Sequence, residues 1–288
     1  MQFAIKKLAL EDFPSQLLEI PEPPKELWLA GTLPSPETVL LTVVGARKHS
    51  PYGKEACETI IAGLAGYDIA IVSGLALGID AIAHEAAIKA GLMTIAVPGS
   101  GLDRSVLYPR SNVNLAERIL TNGGALFSEY SPDMHAAQWT FPQRNRIMAG
   151  LAQATLIIEA EEKSGTLITA RLATDYNRDV FAVPGSIFSS LSRGPNKLIT
   201  LGATPISSSL DVLHALGFNV DNDAVQQEID FSTLSNIEQR VMEALISPKP
   251  RDMLIAELEL ATSDGNILLM KMEIAGLIKE SSEGLRRI

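Results

Sequence analysis

A single cysteine, Cys57, among 288 residues excludes an intramolecular disulfide, and a small buried thiol on the first long helix is its expected role. Such low cysteine use fits a reducing compartment, with the cytoplasm as the expected location. The four histidines, His49, His84, His135 and His214, show no metal-site spacing, so no metal site is expected. Apolar runs stop well short of the roughly 18 residues that a membrane helix needs. Lys6 and Lys7 are not followed by the apolar core of a secretory signal, so neither export nor a membrane partner is expected. Basic residues are scarce too: 24 Lys and Arg against 34 Asp and Glu give a net charge of −10, which argues against a uniformly basic coat for nucleic acid.

What is present fits an ordered soluble protein, with 46% hydrophobic and 20% charged residues and enough length for a large core plus a small accessory domain. The negative charge is unevenly spread. Residues 37–220 carry 14 basic and 16 acidic side chains, whereas residues 221–288 carry 7 and 13. A local positive groove in the central region can therefore still attract phosphate, although long-range steering is weaker.

Residues 1–38 contain Pro14, Pro21, Pro23, Pro24, Pro34 and Pro36 between apolar residues, which predicts an extended strap packed on the following domain. Residues 39–218 alternate short apolar strands (Val39–Val44, Ile69–Val72, Met93–Val97, Ala125–Ser128, Thr155–Glu159, Asp179–Val183) with helical segments such as Tyr52–Leu64, Asp80–Lys89, Arg144–Gln153 and Thr166–Tyr176. That order predicts an α/β domain with a mainly parallel sheet covered by helices on both faces. An acidic linker is expected at 219–231. Three short helices at 237–245, 253–260 and 267–274, then a hairpin turning near Gly284, predict a winged-helix-like domain over 232–288.

Glycine-rich turns follow the strands, and ligands of open α/β sheets meet the carboxyl ends of strands. Gly45-Ala46-Arg47 permits close approach of an oxyanion to the next helix end, with Arg47 adding a forked contact; a purely structural turn is the alternative. Ser73-Gly74 repeats the geometry, with Asp80 available as a helix cap, and Pro98-Gly99-Ser100-Gly101 follows the third strand. His84 among alanines reads as a hydrogen-bonded structural histidine. Arg104 and Arg110 flank Tyr108-Pro109. Phe141, Arg144, Asn145 and Arg146 could stack a base and hold phosphates; alternatively Phe141 is core and an arginine pairs with Glu129 or Glu159. Lys163-Ser164-Gly165-Thr166 offers another phosphate nest, unless Lys163 pairs only with Glu161 or Glu162. The sharp expectation is that Arg47, Arg104, Arg144, Arg146 and Lys163 gather around one sheet edge. No catalytic residue is expected: Ser73 lacks a nucleophile context, and Ser164 has no evident histidine and acid partners.

In their order and spacing these motifs closely resemble the bacterial DNA-processing protein A family, also called Smf, over most of residues 11–218. They run from Gly45-Ala46-Arg47 through Ser73-Gly74-Leu75-Ala76, Tyr108-Pro109 and Phe141-Pro142 to Arg144-Asn145-Arg146, Ser164-Gly165-Thr166 and Pro184-Gly185. The resemblance implies an extended Rossmann-like domain that binds single-stranded DNA, self-associates as a homodimer, and helps place the RecA recombinase on incoming DNA in natural transformation. It makes Arg47 and Lys163 the leading DNA contacts, with Arg144, Asn145 and Arg146 shaping the pocket and Phe141 meeting a base. It implies neither a nucleotide cofactor nor a metal. Many members begin with a small helical domain for which residues 1–38 are too short, and residues 232–288 match the family's winged helix only loosely. Two other classes stay open: an enzyme or sensor for a phosphorylated nucleoside compound, and a protein-interaction scaffold.

Overall fold

In Val39–Val44 every second side chain faces the same way, and both sets are apolar but for the buried Thr42, which demands cover on both sides. The computed structural model describes residues 4–220, 234–281 and 284–287, and supplies that cover. The chain enters with two short strands, Ile5–Lys7 (β1) and Trp28–Gly31 (β2), around one helical turn, Ser15–Leu18 (α1). Strands and helices then alternate: Val39–Val44 (β3), Pro51–Ala62 (α2), Ile69–Ser73 (β4), Ile79–Lys89 (α3), Thr94–Ala96 (β5), Val113–Thr121 (α4) and Ala125–Ser128 (β6). They continue through Thr140–Leu151 (α5), Ala154–Ile157 (β7), Thr166–Asp175 (α6), Asp179–Ala182 (β8), Arg193–Thr200 (α7), Thr204–Pro205 (β9) and Ser209–Ala215 (α8).

The nine strands form one sheet in the order β1-β2-β6-β5-β4-β3-β7-β8-β9. All seven strands from β3 onward are parallel, while β1 and β2 add antiparallel pairs beside β6. The fold is an extended Rossmann-like sheet. The chain builds outward from β3 to β6, returns to place β7 on the other side of β3, and then continues to β9. The order thus reverses between β3 and β7, and such a reversal opens a crevice at the strands' carboxyl ends.

Leu41 and Val43 face one core with Ile60, Ile61, Ile71, Ile79 and Leu156, whereas Leu40 and Val44 face the other with Val72, Ile147 and Met148. The expected strap at 1–38 does more than cover the domain. Its β1 and β2 enter the sheet, and Phe13, Leu17, Ile20 and Leu27 are buried with α5 residues in the second of these cores. Cys57 lies fully buried among the first set, and burial pushes its thiol pKa up.

The chain divides after Val220 into two compact units. The expected linker at 219–231 lies, beyond Val220, outside the described residues. The second unit holds three helices, Asn236–Ala244 (α9), Arg251–Glu257 (α10) and Thr262–Ile274 (α11), and a hairpin of Ile278–Ser281 (β10) with Gly284–Arg287 (β11). Ser235 and Glu238 close a reciprocal cap on α9. Val241, Met242, Leu254, Leu269, Met272 and Leu285 form this unit's core, giving the helix–helix–helix–hairpin order of a winged helix.

Candidate nucleic-acid interface

The crevice between β3 and β7 is a cleft of about 700 Å³. Its walls come from the turns after these strands and from α5: Gly45, Ala46, Arg47 and Lys48 on one side, Ser164, Gly165 and Thr166 on the other, and Phe141, Arg144 and Asn145 beneath. Tyr108 and Gln138 also line it. Each turn has a local reason. Gly45 packs so closely on α3 that a Cβ there would lie 2.6 Å from Ile79 Cγ1. Thr166 ties the two walls together, its hydroxyl donating to Gly45 O at 3.1 Å.

Arg47 is exposed, and its guanidinium carbon lies 5.5 Å from the centroid of the half-buried Phe141 ring. Tyr108 adds a second ring 5.6 Å from Phe141, tilted by 54°. Phe141 rests on the turn after β5, where a Cβ at Gly99 would meet the ring at 2.6 Å. A cation beside an accessible aromatic face suits both a phosphate oxygen and the flat ring of a base. Across the cleft, the Gly165 turn opens the ten-residue α6, and a Cβ at Gly165 would have nothing within 4 Å. Ser164 Oγ accepts the Thr166 N–H at 3.2 Å, fixing the turn. The cleft thus joins a helix N-terminus, which favours negative charge, to an exposed guanidinium and an aromatic surface.

The other expected cations have different duties. Arg144 is 5% exposed; its Nη1 donates to Gly74 O at 2.6 Å and to Val97 O, and its Nε donates to Asn145 Oδ1 at 3.2 Å. Burial pulls its pKa down to about 10, against the opposing attraction of Asp80. Arg144 therefore staples the ends of β4 and β5 from within the cleft wall. Arg146 is buried on Glu129, the ion pair that a structural reading of this segment anticipates. Burial raises the pKa of Glu129, and the guanidinium of Arg146 draws it back down. Arg104 is not brought to the cleft. It pairs with Glu117 at 2.6 Å and borders a separate cavity of about 450 Å³ with Ile5, Ala30 and Leu107. Lys163 is exposed two residues before Gly165, outside the lining residues; of its two acidic neighbours, Glu162 instead faces Lys197 at 3.9 Å.

Two expected oxyanion positions are filled from inside. At the N-terminus of α2, Glu159 accepts the Ser50 backbone N–H at 2.9 Å and the Ser50 hydroxyl, while Ser50 Oγ caps the Gly53 N–H at 3.0 Å. A buried carboxylate thus occupies the end at which a phosphate was expected. At Ser73-Gly74, Asp80 accepts the Gly74 N–H at 3.1 Å, and a Cβ at Gly74 would meet Arg144 at 2.4 Å. Asp80 closes this turn rather than capping α3, whose N-cap is Gly78. Burial raises the Asp80 pKa and Arg144 lowers it. Ser73 Oγ is spent on Val43 O at 2.6 Å. His84 is structural: its Nδ1 is 2.7 Å from Thr94 Oγ1, and burial drops its pKa to about 3. Among the described residues, no three His, Cys, Asp or Glu side chains group as metal ligands. Tyr108, Lys48, Gln138, Glu161 and Leu191 are among the lining residues not proposed as contacts from the sequence. The Tyr108-Pro109 pair between Arg104 and Arg110 was the available signal for the first.

The family model for DNA recombination-mediator protein A matches residues 6–217. Protein Smf of Escherichia coli is 40% identical over 210 residues, which cover 73% of this chain and 56% of that protein, so the chain spans little more than half of that relative's length. DNA processing protein DprA of Streptococcus pneumoniae is 43% identical over 206 residues, covering 72% of each. The crystal structure of DprA from the same species superposes with a TM-score of 0.69 at 40% identity, covering 75% of both chains. DNA processing protein A from Helicobacter pylori, described for its single-stranded DNA binding mode, gives 0.65 at 30% identity, covering 75% of this chain and 98% of that one. The covered length and the shared sheet, with the motif turns on its carboxyl edge, place this chain in the DNA recombination-mediator protein A family, the DprA and Smf proteins.

Proposed function

We propose that this chain binds single-stranded DNA in the β3–β7 cleft without cutting it, protects the strand, and hands it to a RecA recombinase during transformation or recombination. One observation carries the reading: Arg47 stands over Phe141 at the mouth of a cleft whose opposite wall is the open Gly165 turn. A strand's phosphates are held by Arg47, the α6 N-terminus and the nearby Lys163, while an unpaired base lies against Phe141 and Tyr108. Stacking contributes about 1–3 kcal/mol per base, and a duplex withholds those faces, so single strands are preferred. The buried Arg144 and Arg146 hold the cleft's shape rather than reaching for phosphates. The named binding mode of the Helicobacter pylori relative points the same way. A homodimer would present two such clefts to one strand and raise their effective concentration.

The test is binding of single-stranded and duplex DNA across a salt series, with Arg47→Ala and Lys163→Ala. Single strands should bind more tightly, affinity should fall steeply with salt, and each substitution should lower the salt slope by about 1. Equal affinity for duplex, or binding untouched by both substitutions, refutes the assignment. Tight binding of a mononucleotide with no binding of oligomers would instead favour a nucleotide sensor.

A further inference from the structure

Past the cleft, the same rim of the sheet carries two apolar side chains that neither core uses. In the turn after β8, Ile187 is 78% exposed and Phe188 is 92% exposed. Their backbone is pinned. Tyr52 Oη donates to Pro184 O at 2.6 Å, Asn196 Oδ1 accepts the Gly185 N–H at 3.2 Å, and Asn196 Nδ2 donates to Gly185 O at 3.0 Å. Ser186 then accepts the Phe188 N–H on its hydroxyl at 3.2 Å and the Ser189 N–H on its carbonyl at 3.0 Å. A ring held outward on a fixed stem loses little freedom when something stacks on it.

Continuity and charge indicate what covers this ring. Leu191, three residues on, lines the β3–β7 cleft, and its carbonyl accepts the Ala160 N–H at 2.8 Å, which ties this segment to the turn after β7. From Val180 to Leu210 the sequence has no Asp or Glu, although the whole chain carries −10. The same stretch holds Arg193 and the hydroxyls of Ser186, Ser189 and Ser190, while its Lys197 faces Glu162 at 3.9 Å. The acids that line the proposed phosphate cleft beside it are, among the described residues, Glu161 and the buried Asp80. An exposed ring in a hydroxyl-rich stretch that has no acid of its own, beside such a cleft, suits a polyanion that carries flat rings of its own. We propose that Phe188 is a second stacking platform, which takes an unpaired base of a strand leaving the cleft over Leu191, with Arg193 meeting a phosphate there. The inference rests on the proposed function and extends its track toward β8.

Length dependence provides the test. The affinities of the full chain, Phe188→Ala and Phe188→Trp are measured for oligothymidylates of about 4 to about 16 nucleotides. Phe188→Ala should leave the shortest oligomers unaffected and weaken the longer ones about 5- to 150-fold, the worth of one stacked base. Phe188→Trp should restore affinity, and its fluorescence in excess of the unaltered chain should be quenched only by the longer oligomers. Equal affinities for the unaltered chain and Phe188→Ala at every length, while Arg47→Ala still weakens binding, overturn the platform and leave the cleft standing. If the unaltered chain binds none of the oligomers, the cleft reading falls and the platform with it. A change in sedimentation of Phe188→Ala without DNA, with equal loss of affinity at all lengths, assigns the ring to contact between copies and overturns the proposal.

Discussion

Replacing Arg144 by methionine separates scaffold from contact at this site. The side chain is buried, and its guanidinium serves Gly74 O, Val97 O and Asn145 Oδ1. Methionine fills much of the space but strips both carbonyls of this donor and leaves the buried Asp80 without its compensating charge. Leaving a buried charge uncompensated costs about 3–5 kcal/mol, a large share of the ~5–15 kcal/mol that holds a domain together. With a urea m value of about 3 kcal/mol/M, the midpoint should fall by about 1 to 1.7 M. Trp28 and Trp139 are the chain's two tryptophans and both lie before Val220, so tryptophan fluorescence reports this unit alone. Adding Asp80→Asn should recover part of the loss, with a coupling energy of about 0.5–3 kcal/mol. Arg47→Ala should show the reverse profile, a stability change within about 0.5 kcal/mol and weakened DNA binding. An Arg144→Met chain that kept its midpoint while losing DNA binding would refute the scaffold role.

Gly165 has helical dihedrals, φ −59° and ψ −20°, and open space around it, so Gly165→Ala should leave stability unchanged or raise it by about 0.4–1 kcal/mol. The same methyl crowds the anion position, and single-strand affinity should drop about 2- to 5-fold, measurable by fluorescence anisotropy. A Cβ at Gly53 would lie 2.2 Å from Glu159 Oε2, so Gly53→Ala should lower stability by about 1–2 kcal/mol, read as a lower urea midpoint, its gain in helix propensity outweighed by the clash. His84 titrates near 3 when folded because burial disfavours its charge, and near 6.5 when unfolded. The unfolded chain therefore binds the extra proton between these values, and stability is lost as pH falls through that window, by up to about 1.4 kcal/mol per unit. His84→Gln should flatten this acid arm in urea titrations at several pH values, while Asp80, whose raised pKa acts with the opposite sign, is common to both chains.

The sheet was legible where sequence is locally decisive. Val39–Val44 and Ala125–Ser128 were placed to the residue, because an apolar run between turn residues has few other uses. β1 and β2 were not, since three or four residues among prolines declare a strand only once β6 lies beside them. Helix α4 is not among the expected elements, although Val113, Leu115, Ala116 and Ile119 bury one face. That a cleft would lie at the strands' carboxyl ends was legible, but its place between β3 and β7 and the duties of the expected cations were not. Arg47, Arg104, Arg144 and Arg146 are the same residue type, and only burial and counter-charges separate an open guanidinium from three engaged ones. Likewise Glu159 and Asp80 fill two glycine turns that read as vacant nests.

The two margins of the nine-stranded sheet have a bearing on how copies of this chain can meet. One margin is β1, three residues long and bearing Lys6 and Lys7; the other is β9, two residues long and ending in Pro205, which has no N–H to give. A neighbouring molecule finds almost no free backbone to zip against at either limit. Strand-to-strand zipping between folded copies is thereby disfavoured at both margins.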